Sequence, residues 1–118
     1  MTNETSTERL AGTVETYLTT PKNRLAPILD RLFTDDAVVH DEGRTHIGID
    51  AVGAWTQGVA AAFSFTRTII DVKLRANAVV VRARLEGNFP GSPVELHHHF
   101  TLADDKTGGK ISALTICP

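Results

Sequence analysis

Apolar residues recur at Leu10, Val14, Tyr17 and Leu18, the i, i+4, i+7, i+8 spacing of one helical face. Ser6 or Thr7 ahead of them supplies a hydroxyl for an otherwise unpaired backbone N–H, so the pattern predicts an amphipathic first helix with Tyr17 on its buried stripe. Pro21 ends it. Leu25, Ile28, Leu29, Leu32 and Phe33 predict a second short helix, with Pro27 confined to its first turn and Asp35 and Asp36 closing it. The period then changes from 3.6 to 2. Ala37, Val39 and Asp41 alternate with Val38 and His40 as a short strand that turns at Gly43, and Arg44 and His46 follow in a loop. Asp50 is placed to cap a third helix whose face is Val52, Trp55, Val59 and Ala62, with Gly53 and Gly58 suggesting close packing.

From Ile69 onward the chain alternates at period two. Ile70, Val72 and Leu74 oppose Ile69, Asp71 and Lys73; Val79, Val81, Ala83 and Leu85 oppose Val80, Arg82, Arg84 and Glu86. Val94, Leu96, His98, Phe100 and Leu102 oppose Glu95, His97, His99 and Thr101, and a last strand runs from Lys110 to Ile116. Turn residues at Ala76-Asn77, at Asn88-Phe89-Pro90-Gly91 and in DDKTGG separate these runs into antiparallel neighbours. Helices first and strands afterwards predict an α+β fold, a cone in which N-terminal helices pack on one face of a curved mixed or antiparallel β-sheet.

The 118 residues suit one domain over 1–118, with residues 1–6 as a flexible lead-in. An apolar share of 42% and a charged share of 22% are those of a globular chain. A net charge of −2 with interspersed signs disfavours nucleic acid as a partner, and no apolar run approaches the ~18 residues of a membrane span. Cys117 is the lone cysteine, so no internal disulfide forms; it reads as a surface thiol, and a cytoplasmic location is expected.

Three histidines in VELHHHFTL invite a metal, but neighbours on a strand point apart. Glu95, His97 and His99 share a face at roughly 7 Å spacing and converge poorly on one ion, so metal ligation is disfavoured. His97 and His99 read instead as a solvated or dimer-facing surface. His98 differs, being the polar member of an apolar stripe. A buried, satisfied core histidine is the bland account of it; Tyr17 and Asp41, each also on an otherwise apolar face, supply another. The three in one pocket would make a general base with two hydrogen-bond donors. Arg82 and Arg84 belong to the outer face.

The segment LFTDDAVVHDEGRTHIGIDAVGAW resembles the hallmark of the nuclear-transport-factor-2-like superfamily, in the branch of ketosteroid isomerases and SnoaL-like polyketide cyclases, and the resemblance extends from about Leu10 to Ile116. It implies the same helix, helix, strand, helix, sheet order. Ketosteroid isomerases carry LFADDATVEDP, whose last Asp moves a proton between carbons, and Asp41 falls at that place. The resemblance likewise puts Tyr17 at their oxyanion tyrosine and His98, in HHF, where they have a protonated Asp in DHF. The histidine makes the pocket more similar to SnoaL-like cyclases and scytalone-type dehydratases. Glu42 replaces the proline that follows the base.

The resulting expectation is an isomerase, cyclase or lyase that needs no cofactor and acts on a small hydrophobic molecule. Asp41 would be the base and Tyr17 and His98 the enolate-holding groups, with Trp55, Phe63, Val81, Phe100, Leu114 and His46 around the substrate. The alternative is a non-catalytic module that uses the same cone to bind a hydrophobic ligand or a protein partner. A homodimer through the outer sheet face is expected in either case.

Overall fold

The computed structural model describes residues 12–103 and 109–118. Leu10, the Ser6 or Thr7 cap and the lead-in over residues 1–6 lie outside the described residues, as does most of the DDKTGG turn.

Helix α1, Gly12–Thr19, buries Val14, Tyr17 and Leu18, the stripe set by the period of 3.6. Pro21, with φ −57° and no N–H to donate, leaves the helix and starts the single 3₁₀ turn Lys22–Arg24. The predicted second helix is broken. A second 3₁₀ turn, Ala26–Ile28, accommodates Pro27 near its start, and only Leu29–Leu32 is α-helical, here α2. Phe33 already opens strand β1, Phe33–Asp41, so Asp35 and Asp36 are exposed strand residues and do not close a helix.

Glu42 and Gly43 both have positive φ, 53° and 74°, the signature of a two-residue hairpin turn that returns the chain along itself. The predicted loop at Arg44 and His46 is therefore strand β2, Arg44–Ile47, paired antiparallel to β1 with Asp41 opposite Arg44. Helix α3, Ile49–Ala62, begins one residue before Asp50. Gly48, at φ 91°, holds the cap position and donates its N–H to the Ala37 carbonyl at 2.7 Å. Asp50 thus lies in the first turn, where its charge favours the helix dipole without capping it. Gly53 faces the Leu29 side chain, whereas Gly58 has open space around it.

Strands β3, Phe65–Arg75, β4, Ala78–Gly87, β5, Val94–Leu102, and β6, Ile111–Cys117, complete a six-stranded sheet in the order β2-β1-β6-β5-β4-β3. Only β1 and β6 are parallel; the other neighbours are antiparallel. In β3 the register slips by one residue. Ile69 pairs with Ala83 and Asp71 with Arg82, which leaves Ile70 as the extra residue of a β-bulge. Val72 and Leu74 face inward beside Val81 and Val79, and on the far side of the bulge Arg67 and Ile69 also face inward, beside Leu85 and Ala83.

The helices cover the sheet face that carries Ala37, Val39, Val81, Phe100 and Leu114, all buried. Tyr17 is central to this core, edge-on to Phe33 and Phe100 at centroid distances of 5.8 and 5.7 Å. Among the described residues no helix is long and apolar enough to cross a membrane.

Candidate functional site

One cross-strand row carries two of the expected site residues. Asp41 on β1 pairs with Ile116 on β6, Ile116 with His98 on β5, and His98 with Val81 on β4, so their side chains share the inner face. Two strand spacings of ~4.8 Å separate Asp41 from His98, roughly 10 Å of backbone with Ile116 between them. At this end of the sheet lies a cavity of about 540 Å³, lined by Asp41, His98, Trp55, Phe63 and two cations, Lys22 and Arg67. The β4–β5 loop forms its far wall. Phe89 of that loop stands edge-on to Phe63 and Phe65, and Ser64 ties the loop down by donating its N–H to the Asn88 side-chain carbonyl at 2.8 Å.

Each polar group in the cavity has a distinct environment. Trp55 Nε1 donates to Asp41 Oδ2 at 3.1 Å, which anchors one oxygen of a carboxylate that lines the cavity. Lys22 Nζ donates to Tyr17 Oη at 2.7 Å and lies 4.3 Å from the centre of the Trp55 ring. Burial, reinforced by the Arg67 charge and opposed by Asp41, lowers the Lys22 amine to about 7. Burial also pushes the Tyr17 hydroxyl up to about 12.

His98 is wholly buried, and neither ring nitrogen makes a hydrogen bond. Burial, then the charge of Arg67, lowers its pKa to about 3; the backbones of Val81 and Leu96 and the charge of Lys22 are smaller influences. The imidazole is therefore neutral at pH 7, one nitrogen a donor and the other an acceptor. A buried polar atom without a partner costs roughly 1 to 3 kcal/mol. His98 is among the residues that line the cavity, with both ring nitrogens buried beside the Val81 and Leu96 backbones.

The SnoaL-like domain family matches residues 14–112. This chain belongs to that family. A Sinorhizobium meliloti protein described as a candidate polyketide cyclase is 33% identical, with 94% of this chain and 97% of that one covered at a TM-score of 0.83. A SnoaL-like polyketide cyclase candidate from Jannaschia is 21% identical over 88% of this chain and 81% of its own, with a TM-score of 0.69. An NTF2-like protein from Cytophaga hutchinsonii, 14% identical over 88% and 80% with a TM-score of 0.63, shares the fold. No functionally curated protein is significantly similar to the chain.

In this SnoaL-like domain the expected residues are only partly gathered. Asp41, His98, Trp55 and Phe63 line the cavity. Tyr17 does not; it is fully buried, and its hydroxyl accepts from Lys22 of the lining, with Arg67 also beside its ring. Val81, Phe100 and Leu114 are packed into the core and do not line the cavity; Phe100 and Leu114 pair with each other two residues along their strands from His98 and Ile116, and Val81, opposite His98, is fully buried. His46 lies beside Trp55, ring centroids 5.9 Å apart and tilted by 34°, outside the cavity lining. Cys117, expected as a surface thiol, is half-buried on the cavity wall. On the outer face, Arg82 pairs with Glu95 at 3.0 Å and the rings of His97 and His99 lie 6.3 Å apart.

The sequence reading passed over Lys22 and Arg67. Alternation read back from Ile70, Val72 and Leu74 puts Arg67 outside with Ile69; the bulge at Ile70 reverses this. Lys22 sits in the irregular turn after Pro21, where no period assigns a face.

Proposed function

We propose that this SnoaL-like domain catalyses proton transfer at a carbon next to a carbonyl in a small, mostly apolar substrate, as an isomerase, cyclase or lyase. The observation that supports this best is one cavity in which an anchored carboxylate, a neutral imidazole with unspent hydrogen-bonding capacity and two cations meet apolar walls. Asp41 Oδ1 takes the proton as the C–H bond breaks, while Trp55 keeps Oδ2 in place. Negative charge collects on the carbonyl oxygen as the enolate forms. The N–H of neutral His98 and the charges of Lys22 and Arg67 offset it. Tyr17 acts as a positioning residue, holding Lys22 through its hydroxyl. Return of the proton to another carbon isomerises the substrate, and attack by the enolate carbon on a second carbonyl closes a ring.

The exclusion of the Tyr17 hydroxyl from the cavity favours a second reading, a module that binds a hydrophobic ligand without turning it over. Deuterium uptake at the α-carbon of a panel of cyclic ketones and 1,3-diketones, followed by NMR, separates the two. Exchange by the wild type that falls about a hundredfold in Asp41→Asn is expected for a general base. Equal rates in the two proteins would end that role, and tight ligand binding without exchange would establish the binding module. A homodimer through the outer sheet face and a cytoplasmic location belong to the same proposal, the first tested by sedimentation equilibrium.

A further inference from the structure

Charge is unevenly met around the cavity. Among the described residues the ion pairs are Arg82–Glu95 and Arg84–Glu86, both exposed, and neither includes Lys22 or Arg67. Arg67 donates from Nη1 to the Leu18 carbonyl oxygen at 2.9 Å, and its Nε is buried with no partner. Its guanidinium carbon lies 5.5 Å from the centre of the Tyr17 ring, against which Lys22 Nζ also packs at 4.6 Å. Two cations therefore share one aromatic platform at the cavity wall. The nearest carboxylate, Asp41, is engaged by Trp55, and Glu42 is exposed at the rim.

With Lys22 protonated, the three charged groups inside the exposed rim, Lys22, Arg67 and Asp41, sum to one positive charge, and Glu42 at the rim is in solvent. A monoanion cancels it, whereas a dianion overshoots and carries surplus charge into apolar walls at a desolvation cost. We propose that the ligand of this cavity is a carboxylic acid with an apolar, ring-sized body, whose carboxylate lies between Lys22 and Arg67 and whose body rests on Trp55, Phe63 and Phe65. This rests on the cavity already assigned to proton transfer and names the class of its substrate. The carboxylate is a handle, separate from the carbonyl at which Asp41 acts.

Binding is linked to protonation of Lys22. The groups that face its amine are Tyr17 on α1, Asp41 on β1 and Arg67 on β3, with Glu42, His98 and Cys117 elsewhere on the lining. Its amine titrates at about 7 in the empty cavity, and the ammonium form is the one that attracts a carboxylate. Affinity is thus full below about pH 7 and falls by up to about tenfold per pH unit above it.

The test is calorimetric titration of the full chain with 2-naphthoate and with its neutral isostere 2-naphthamide. Naphthoate is expected to bind at least about tenfold more tightly at neutral pH, with that preference fading as pH rises. Lys22→Met and Arg67→Met, which keep the alkyl stems, are each expected to remove the preference while amide affinity is retained, and that retained affinity reports an intact cavity. Equal affinity of the two probes, no binding of naphthoate, or a preference that ignores pH would overturn the inference in the wild type alone. The Asp41 proposal fails separately. Asp41→Asn is expected to slow α-proton exchange about a hundredfold yet tighten naphthoate, so exchange without acid preference, or acid preference without exchange, distinguishes the two failures.

Discussion

Replacing His98 by phenylalanine should flatten the acid side of the stability profile. In the unfolded chain the imidazole titrates near its ordinary 6.5, and in the folded one near 3, because burial disfavours the charged form. As pH falls through 6.5 the unfolded state takes up a proton that the folded state refuses, so stability drops as pH falls and the loss levels off near pH 3. Linkage over that window gives about 2.5 kcal/mol between about pH 7.5 and about pH 4.5, a large part of the ~5 to 15 kcal/mol of a typical domain. Phenylalanine retains a ring able to stack on Phe100, as His98 does at 6.3 Å and 14°, and has nothing to titrate. Urea unfolding at a series of pH values gives both curves, and carboxylates common to the two proteins cancel in their difference. Curves that stay parallel from neutral to acid pH would refute the argument, because a folded-state imidazole that titrates normally makes no such difference.

Trp55→Phe keeps an aromatic surface under Lys22 but removes the N–H that anchors Asp41; hydrogen bonds to charged groups are worth about 1.5 to 3 kcal/mol, so α-proton exchange should fall about 10- to 100-fold in kcat with KM little changed. Phe100→Ala opens the core beneath Tyr17 and should cost about 3 to 5 kcal/mol in chemical denaturation. Gly87→Ala would drive a methyl into the Ser64 carbonyl and the Phe65 backbone, and a loss of about 2 kcal/mol or more, read as a lower Tm, is expected.

The fold was legible wherever one face of an element is buried. Val14, Tyr17 and Leu18, or Val79, Val81, Ala83 and Leu85, repeat at the period of their element because the other face meets water. Legibility failed where geometry departs from a repeat. Pro27 splits the second helix into 3₁₀ turns, and two positive-φ residues at Glu42 and Gly43 convert an expected loop into a hairpin. The site shows the same division. Asp41 and His98 stand out as polar members of apolar stripes, and the register puts them on one row. Lys22 and Arg67 do not stand out, since a lysine in a turn and an arginine in a strand are ordinary surface residues until a fold turns them inward. Tyr17 was placed correctly on its helix face, but what shields its hydroxyl lies five residues further on, in a segment without periodicity.

The bulge at Ile70 has a bearing on how such a cavity changes over generations. Strand β3 is the last in the sheet, with a neighbour on one side only, so a residue gained or lost there disturbs a single ladder. Loss of Ile70 would leave a regular ladder with Arg67 still opposite Leu85 on the inner face, whereas drawing Ile70 into the ladder would shift the pairing by one residue and turn Arg67 outward with every side chain kept. Whether one residue of a peripheral strand is left out of the pairing thereby controls the polarity of an enclosed space, a difference that a residue-by-residue comparison of aligned positions would not register.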